Sequence, residues 1–392
     1  MALGFVPVLL ARMQQLSNPN YPGTKITAAG FLGALLENSP NLAVSMVTTS
    51  NGDSFAPSGI NLNTLGGQIR EVKLKYMPRR LPSEMSDADD CTTDFVNHYK
   101  ESSIFAPFYK QDGFYLDWNF VERYEADAAR SINIGKPPYG AVKELDDQIM
   151  HTLSGLIGAI DTTLLNTVVW GINPVTGNNA ATAININQAG DTLDLNDGLV
   201  RILADAQNNE VAGDPILVGN GLMNNYMIAL RKNAIGMNQA GFNTAAVNGY
   251  SWYFDRWSIG AWGSNTVTAF APGTVGFVDL QKWIGWKTGR FGKSWFAQAM
   301  FPIGTPASAG LNVPAPLMSF NLQIIEEDCP PGAILTGYGS DTYTAGRGWK
   351  ILISKNFGLW QLPTDAYQPG DHLTGLNGAF RYQITNNCDG CA

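Results

Sequence analysis

Apolar residues recur at steps of three and four over a long stretch near the middle of the chain. They are Val142, Leu145, Ile149, Leu153, Leu156, Ile160, Leu164 and Val168. This spacing predicts an amphipathic helix over residues 140–170 with one continuous apolar stripe. At 1.5 Å per residue the helix spans about 45 Å. One small core cannot cover such a length, so we expect the helix to lie as a spine across a wider sheet.

A second pattern, with period two, appears earlier. Residues 69–77 read IREVKLKYM, with Val72, Leu74 and Tyr76 alternating against charged positions, which predicts a half-exposed strand. A strand pair at 104–109 and 114–116 would return the chain. Residues 67–116 therefore predict a long, two-legged hairpin.

The predicted hairpin changes the sign of its charge along its length. Five basic residues are followed by five acidic ones, and we treat all ten as candidate contacts between subunits: Arg70, Lys73, Lys75, Arg79, Arg80, Glu84, Asp87, Asp89, Asp90 and Asp94. Such a segment suits docking on a neighbouring molecule, basic patch to acidic patch, because charge complementarity fixes register. A solvated loop is the alternative interpretation.

The rest of the chain mixes helices and strands, which makes the fold class α+β. Helices are predicted at 27–36, 117–130, 195–207 and 222–231, and Asp117 is expected to cap the second of them. Strands are predicted at 216–220, 251–257, 266–270, 274–278, 313–325, 350–354 and 380–385. Residues 1–25 contain three prolines and little periodicity. They predict an extended N-terminal arm.

Composition adds a statement about the surface. Hydrophobic residues make up 45% of the 392 residues, which excludes a disordered chain, and charged residues only 15%. Buried protein interfaces are depleted in Lys, Glu and Asp and enriched in aromatic residues, so a chain of this composition hides much of its surface against copies or partners. A neutral, secreted β protein is the alternative. The net charge of −8 argues against a protein that grips nucleic acid through its phosphates.

Targeting and crosslinking signals are weak. The apolar run at residues 3–11 is too short to span a bilayer, and its first positive charge, Arg12, follows the run instead of preceding it as in a secretory signal. Four cysteines in 392 residues do not make a disulfide framework.

Residues 285–295, GWKTGRFGKSW, invite comparison with a phosphate-binding loop. The first glycine of that motif would fall on Lys287, and the neighbouring rings are too bulky for an anion nest, so the phosphate interpretation is rejected. Trp283, Trp286 and Trp295 are instead candidates for packing within a domain. Exposed tryptophan faces that bind sugar rings are the alternative.

Candidate catalytic and metal-binding residues are few. His151 lies four residues after Asp147 on the predicted spine helix, an arrangement that is usually structural. Cys388 and Cys391 form one C-x-x-C pair, which Cys91 and Cys329 could in principle join at a metal site, but a frayed tail is the favoured interpretation. The acids at 326–328 are interpreted as solvated strand-end charges. We therefore expect no catalytic residues, no cofactor and no metal.

The order of these elements resembles the major capsid proteins of tailed bacteriophages. The resemblance rests on the arm, the hairpin (IREVKLKYMPRR into SEMSDADD), the spine helix, the segment GDPILVGNGLMNNYMIALR, the strands of APGTVGFVDLQKW and a returning strand, from about residue 67 to 328. The fold of that family, the Hong Kong ninety-seven type, also builds encapsulin shells.

The resemblance implies a division of the chain: an N-terminal arm at 1–66, an extended loop over a neighbouring subunit at 67–116, a peripheral domain with the spine helix at 117–208, an α/β axial domain at 209–312, a return strand of the peripheral domain at 313–328 and a C-terminal extension at 329–392. Simple members of the family end soon after the return strand. The extension is therefore a departure from the family.

The implied function is structural and not enzymatic. Copies would form pentamers and hexamers and close into an icosahedral head shell around packaged double-stranded DNA, in the virion, after assembly in the bacterial cytoplasm. The resemblance admits portal, scaffold or decoration proteins as further partners, places DNA in contact only by proximity and involves no membrane. The alternatives are a secreted, Trp-rich glycan-binding β protein and an encapsulin-like nanocompartment shell.

Overall fold

A computed structural model describes the larger part of the chain. It describes residues 9, 12–13, 16, 30–38, 42–45, 60–65, 68–76, 100–131, 140–168, 170, 184–187, 199–200, 202–204, 215–221, 223–225, 227, 244–247, 250–263, 265–281, 289–303, 316–327, 334–336, 342–344, 348–362 and 378–385.

The described elements include four helices and seventeen strands, and most of the strands follow one another without an intervening helix. The helices are α1 (Gly30–Asn38), α2 (Trp118–Ser131), α3 (Gly140–Thr167) and α4 (Ser258–Trp262). The strands are β1 (Leu42–Ser45), β2 (Ile60–Leu65), β3 (Gln68–Tyr76), β4 (Lys100–Asp117), β5 (Ile184–Asn187), β6 (Ile216–Gly219), β7 (Thr244–Val247), β8 (Tyr250–Phe254), β9 (Thr266–Phe270), β10 (Val275–Gln281), β11 (Gly289–Phe291), β12 (Ser294–Pro302), β13 (Leu317–Glu327), β14 (Ile334–Thr336), β15 (Thr342–Thr344), β16 (Gly348–Gln361) and β17 (Ala379–Thr385). The mixed α and β character expected from the sequence is confirmed.

Nine of the described strands form one large sheet. Its main path runs β11-β12-β13-β16-β4-β3-β2, and β10 joins β1 to the far end of β16. All pairs in this sheet are antiparallel except β1 with β10. A second sheet of six strands runs β5-β17-β9-β6-β8-β7, and β14 pairs with β15 in a separate hairpin.

Two strands of the C-terminal section occupy interior positions in the sheets. β16 lies between β13 and β4 in the large sheet, and β17 lies between β5 and β9 in the second. An extension appended to a finished fold would lie at an edge, so β16 and β17 are integral parts of the two sheets. The boundary expected at residue 312 also does not coincide with a sheet boundary, because β10, β11 and β12 belong to the large sheet with β13.

The predicted strand pair at 104–109 and 114–116 is one continuous strand, β4. The sequence KQDG at 110–113 looks like a turn, but Gly113 lies within the ladder. A Cβ atom at this position would lie 2.3 Å from the carbonyl oxygen of Ile351, so the close pairing of the strands requires a glycine here. The register between β4 and β16 shifts near Pro107, whose missing N–H cannot join a ladder. A proline bulge thus bends the strand without ending it.

Helix α3 is the expected spine, ending at Thr167. Its apolar stripe is buried over its whole length and packs on β4 and β16. The N-terminus is fixed from outside the helix, because the Asp127 carboxylate of α2 accepts a hydrogen bond from Ala141 N at 2.8 Å. Asp117 caps α2, as the sequence indicated, through Phe120 N at 2.6 Å. Aspartate side chains therefore fix the N-termini of both α2 and α3.

Candidate functional site

The hairpin formed by β2, β3 and the outer end of β4 is the first candidate site. In the ladder between β3 and β4, Lys73–Tyr76 pairs with Lys100–Ser103, and β2 pairs with the other edge of β3. The rest of β4, from Ile104 to Asp117, is occupied by β16. Within the described strands, β2 and β3 are therefore joined to the body of the sheet through β4 alone.

Three of the candidate contact residues lie on β3, namely Arg70, Lys73 and Lys75. The register sets Lys75 opposite Glu101 of β4, and Lys73 opposite Ser103. The other seven, Arg79, Arg80, Glu84, Asp87, Asp89, Asp90 and Asp94, lie in the segment 77–99, outside the described residues.

The N-terminal segment forms a second candidate site, on the spine helix. Its described residues 9, 12, 13 and 16 are helical where an extended arm was expected, and Leu9 and Met13 are buried. Arg12 donates to both carboxylate oxygens of Asp146 on α3, at 2.7 and 2.5 Å. The segment was expected to be an extended arm, but the spacing of four and three between Leu9, Met13 and Leu16 is that of a helix.

Helix α1 attaches to the same spine helix by its N-terminus. Phe31 N donates to Asp255 at 3.2 Å, and Leu32 N donates to Asp161 of α3 at 2.7 Å. Asp255 also accepts hydrogen bonds from the backbone of Trp257 and Ser258, at 2.8 and 3.0 Å. Two carboxylates from distant parts of the chain thus meet the free N–H groups and the positive end of one helix.

The two carboxyl groups interact with each other. Burial, followed by the neighbouring Asp255 carboxyl, raises the pKa of Asp161 well above its usual value. Burial also raises the pKa of Asp255, against the opposing effect of its backbone hydrogen bonds. Asp161 Oδ2 is buried and receives no hydrogen bond from an N–H group of the described residues. A proton shared between the two carboxyls satisfies this oxygen.

A third buried polar cluster lies in the large sheet. It consists of Asp279 on β10, Ser319 on β13 and Lys355 on β16, all at most 3% exposed. Sequence reasoning missed this cluster and the Asp161–Asp255 pair. For the cluster in the sheet, the available signal was a charged residue inside an apolar strand: Asp279 in VGFVDLQ and Lys355 in GWKILISKNFGLWQ.

The tryptophan-rich region is packed where it is described. Trp295 is half-buried on β12, with the Arg290 guanidinium 5.5 Å from its ring centroid, and so belongs to the large sheet. Trp252 is 2% exposed and donates to Asn224 at 3.0 Å. Trp262 packs on Trp170 at 5.6 Å. Trp283 and Trp286 lie outside the described residues.

The GKS segment forms a hairpin turn between β11 and β12. Phe291 pairs with Ser294 across Gly292 and Lys293, and Gly292 has φ +63°, the conformation that a tight hairpin requires of its first turn residue. A strand follows the turn where a phosphate-binding loop would lead into a helix.

The remaining candidate chemistry is dispersed. His151 is exposed on α3 and, with other side chains of that helix face, lines a depression of about 500 Å³, while Asp147 pairs with Lys143. No group of three or more His, Cys, Asp or Glu in the described part of the chain is arranged to hold a metal ion. Glu326 is half-buried at the end of β13. His98, His372, Asp328 and the cysteines at 91, 329, 388 and 391 lie outside that part.

None of the described helices is long and apolar enough to cross a lipid bilayer.

No protein-family model matches this chain, and no curated protein does. Solved structures do match over almost the whole length. A chain of Mycobacterium phage Adephagia shares 10% identity, with 93% of this chain and 92% of that chain covered, at a TM-score of 0.43. The cyanophage A-1(L) capsid asymmetric unit shares 10% identity, with 94% and 96% covered, at 0.43. The capsid structure of cyanophage P-SCSP1u shares 10%, with 95% and 98% covered, at 0.38.

These similar structures come from phages, and two of them are described as capsids.

Proposed function

We propose that this chain is the structural subunit of a phage head. Copies assemble into pentamers and hexamers, and these close into an icosahedral shell around packaged double-stranded DNA. The chain carries out no catalysis, and its place is the virion capsid after assembly in the bacterial host. Portal, scaffold or decoration proteins are compatible further partners.

The projecting hairpin is the observation that carries this proposal. A hairpin of two or three strands without its own core is marginally stable in water. Among the described strands, β2, β3 and the outer end of β4 are connected to the body of the sheet only through β4. On this proposal, a neighbouring copy supplies the further contacts that stabilise the hairpin.

Charge gives the hairpin a direction in which to dock. Three of the basic residues lie on β3, and the other two precede the acidic residues in the segment 77–99. Each copy thus carries both a basic and an acidic patch, so identical subunits can pair head to tail around a ring. The low charged fraction, 15%, also agrees with a surface that becomes buried on assembly.

The experiment compares assembly of charge variants by sedimentation velocity and negative-stain electron microscopy. The unaltered chain is expected to form shells, rings or tubes. The variant Lys73→Glu/Lys75→Glu is expected to stay unassembled, and the addition of Asp89→Lys/Asp90→Lys is expected to restore assembly by exchanging the two patches. Arg123→Glu/Lys350→Glu changes the same number of exposed charges outside the hairpin and is the matched control.

Two outcomes contradict the proposal. One is an unaltered chain that remains a monomer at high concentration and with crowding agents. The other is a hairpin variant that assembles as well as the control. A glycan-binding protein would give the first outcome together with binding on a glycan array. An encapsulin-like shell would assemble normally but contain protein cargo in place of DNA.

A further inference from the structure

Two strands of the large sheet, β13 and β10, pair with successive parts of β16 and separate at a buried lysine. β16 pairs with β13 up to Ser354, opposite Asn321, and with β10 from Asn356 onward. Lys355 lies between these two pairings and is 0% exposed. β13 and β10 therefore separate at this point, and side chains fill the wedge between them.

The wedge is closed by a compact set of contacts between Asp279, Ser319 and Lys355. Ser319 N donates to Asp279 Oδ2 at 2.9 Å, and Ser319 Oγ donates to Asp279 Oδ1 at 2.6 Å. Lys355 Nζ donates to Ser319 Oγ at 3.0 Å and also to Asp279 Oδ1. An amine and a carboxyl are thus held in direct contact, with one hydroxyl touching both.

Burial affects the protonation of this set. Burial lowers the pKa of the Lys355 amine, and the neighbouring Asp279 carboxylate opposes that shift. Transfer of one proton from the ammonium to the carboxylate would leave a nucleophilic amine beside an electrophilic carboxylic acid.

We propose that Lys355 and Asp279 form an intramolecular isopeptide bond. The Nζ lone pair attacks Asp279 Cγ and forms a C–N bond. The bond from Cγ to Oδ1 then breaks, and Oδ1 leaves as water, carrying its own proton and one proton from Nζ. The product is an amide with Oδ2 as its carbonyl oxygen. The step needs no oxidant, reductant or added reactant.

Ser319 is the positioning residue for this step. Its hydroxyl accepts from Nζ and donates to Oδ1, so it lies on the path that the proton takes from the nitrogen to the departing oxygen. Its backbone N–H points at Oδ2, where negative charge develops during the attack. Fixed contact between the reacting groups supplies the high effective concentration that an unassisted amide formation needs.

The bond would fasten two neighbouring strands and close a large loop. Asp279 and Lys355 are 76 residues apart in sequence. A covalent link across such a separation restricts the unfolded chain and stabilises the folded one, as a disulfide does. The inference concerns one chain and does not depend on its assembly into a shell.

The test is the intact mass of the purified full-length chain under denaturing conditions. The expected mass is below that of the sequence by one water molecule. A tryptic digest is expected to contain a branched peptide joining the Asp279 and Lys355 segments, with no cleavage after Lys355. A full sequence mass with normal cleavage after Lys355 overturns the proposal, as does a deficit that maps elsewhere.

Two variants separate the bond from a simple buried ion pair. Lys355→Arg keeps a cation against Asp279 but removes the nucleophilic amine, so its mass is expected to equal that of its sequence. Ser319→Ala keeps the backbone N–H and removes the hydroxyl, and bond formation after refolding is expected to be slower by roughly a hundredfold or more. A mass deficit that persists in Lys355→Arg contradicts the assignment of Lys355.

Discussion

The spine helix α3 binds the N-terminal segment at one place and helix α1 at another, and its buried acidic residue has a different kind of partner at each. At Asp146 a carboxylate meets the Arg12 guanidinium, and the two side chains are 9% and 12% exposed. At Asp161 a carboxylate meets another carboxyl group, Asp255, at the N-terminus of α1. The first attachment is stabilised by opposite charges, and the second by backbone N–H groups, the helix dipole and a shared proton.

The difference shows that a buried acid need not have a cation as its partner. Asp255 accepts three backbone hydrogen bonds from two separate segments, which fixes α1 against the loop that leads into α4. Only one carboxylate charge is neutralised by the helix end, so the second carboxyl retains its proton. Removal of one acid is therefore expected to have different effects at the two attachments.

The largest effect is expected for Asp255→Ala. The substitution leaves buried N–H groups at Phe31, Trp257 and Ser258 without an acceptor, and each unsatisfied group costs about 1–3 kcal/mol. We expect the free energy of unfolding to fall by roughly 3–5 kcal/mol. Urea denaturation measures this loss, and hydrogen exchange is expected to increase first in α1. A loss below about 1 kcal/mol would show that these contacts are dispensable.

A smaller effect is expected for Arg12→Met. The substitution keeps the apolar contacts of the arginine stem but leaves Asp146 nearly buried without its cation, which is expected to cost about 2–3 kcal/mol because the site retains some exposure. Lys143→Met is the control, since the Lys143–Asp147 pair is more than half exposed at both ends and its loss should cost less than about 0.5 kcal/mol. Equal effects of the two substitutions in urea denaturation would contradict the comparison.

The smallest effect, of opposite sign, is expected for Asp161→Asn. The amide keeps an oxygen for Leu32 N and supplies N–H donors to Asp255 without a second acid. We expect a gain of about 1 kcal/mol at pH 8. The measurement is the same urea denaturation, repeated as a function of pH.

The pH dependence gives the sharper signature of that variant. Because the folded pKa values of Asp161 and Asp255 are raised, the folded chain binds more protons than the unfolded chain above the ordinary carboxyl pKa of about 4. The stabilising contribution of the pair is complete below that value and is lost as pH rises through the folded pKa values. Asp161→Asn is expected to flatten this decline, and a pH profile identical to that of the unaltered chain would contradict the shared proton.

Periodic parts of the fold were predictable from the sequence. The spine helix and the strand at 266–270 follow from apolar spacing alone, and Asp117 was recognised as a helix cap. β4 was not recognised as one strand, because Gly113 looks like a turn residue. The reason for a glycine inside this strand is the close approach of Ile351, which lies far away in the sequence. Local signals cannot report such a contact.

The interior positions of β16 and β17 in their sheets could not be predicted either. Strand order depends on long-range pairing, and the resemblance to simple members of a family suggested an extension in place of a core strand. The buried clusters were similarly hidden, because Asp161 and Asp255 are charged residues that a pattern assigns to the surface. Only the topology brings them together beneath α1.

The most direct test of the account is a cryo-electron microscopy map of particles assembled from the unaltered chain. The account predicts closed shells in which β2, β3 and the outer end of β4 of one subunit lie on a neighbouring subunit, with the basic residues of β3 facing acidic residues of the segment 77–99. A map in which each hairpin folds back on its own subunit would contradict the account, and so would a chain that forms no particles.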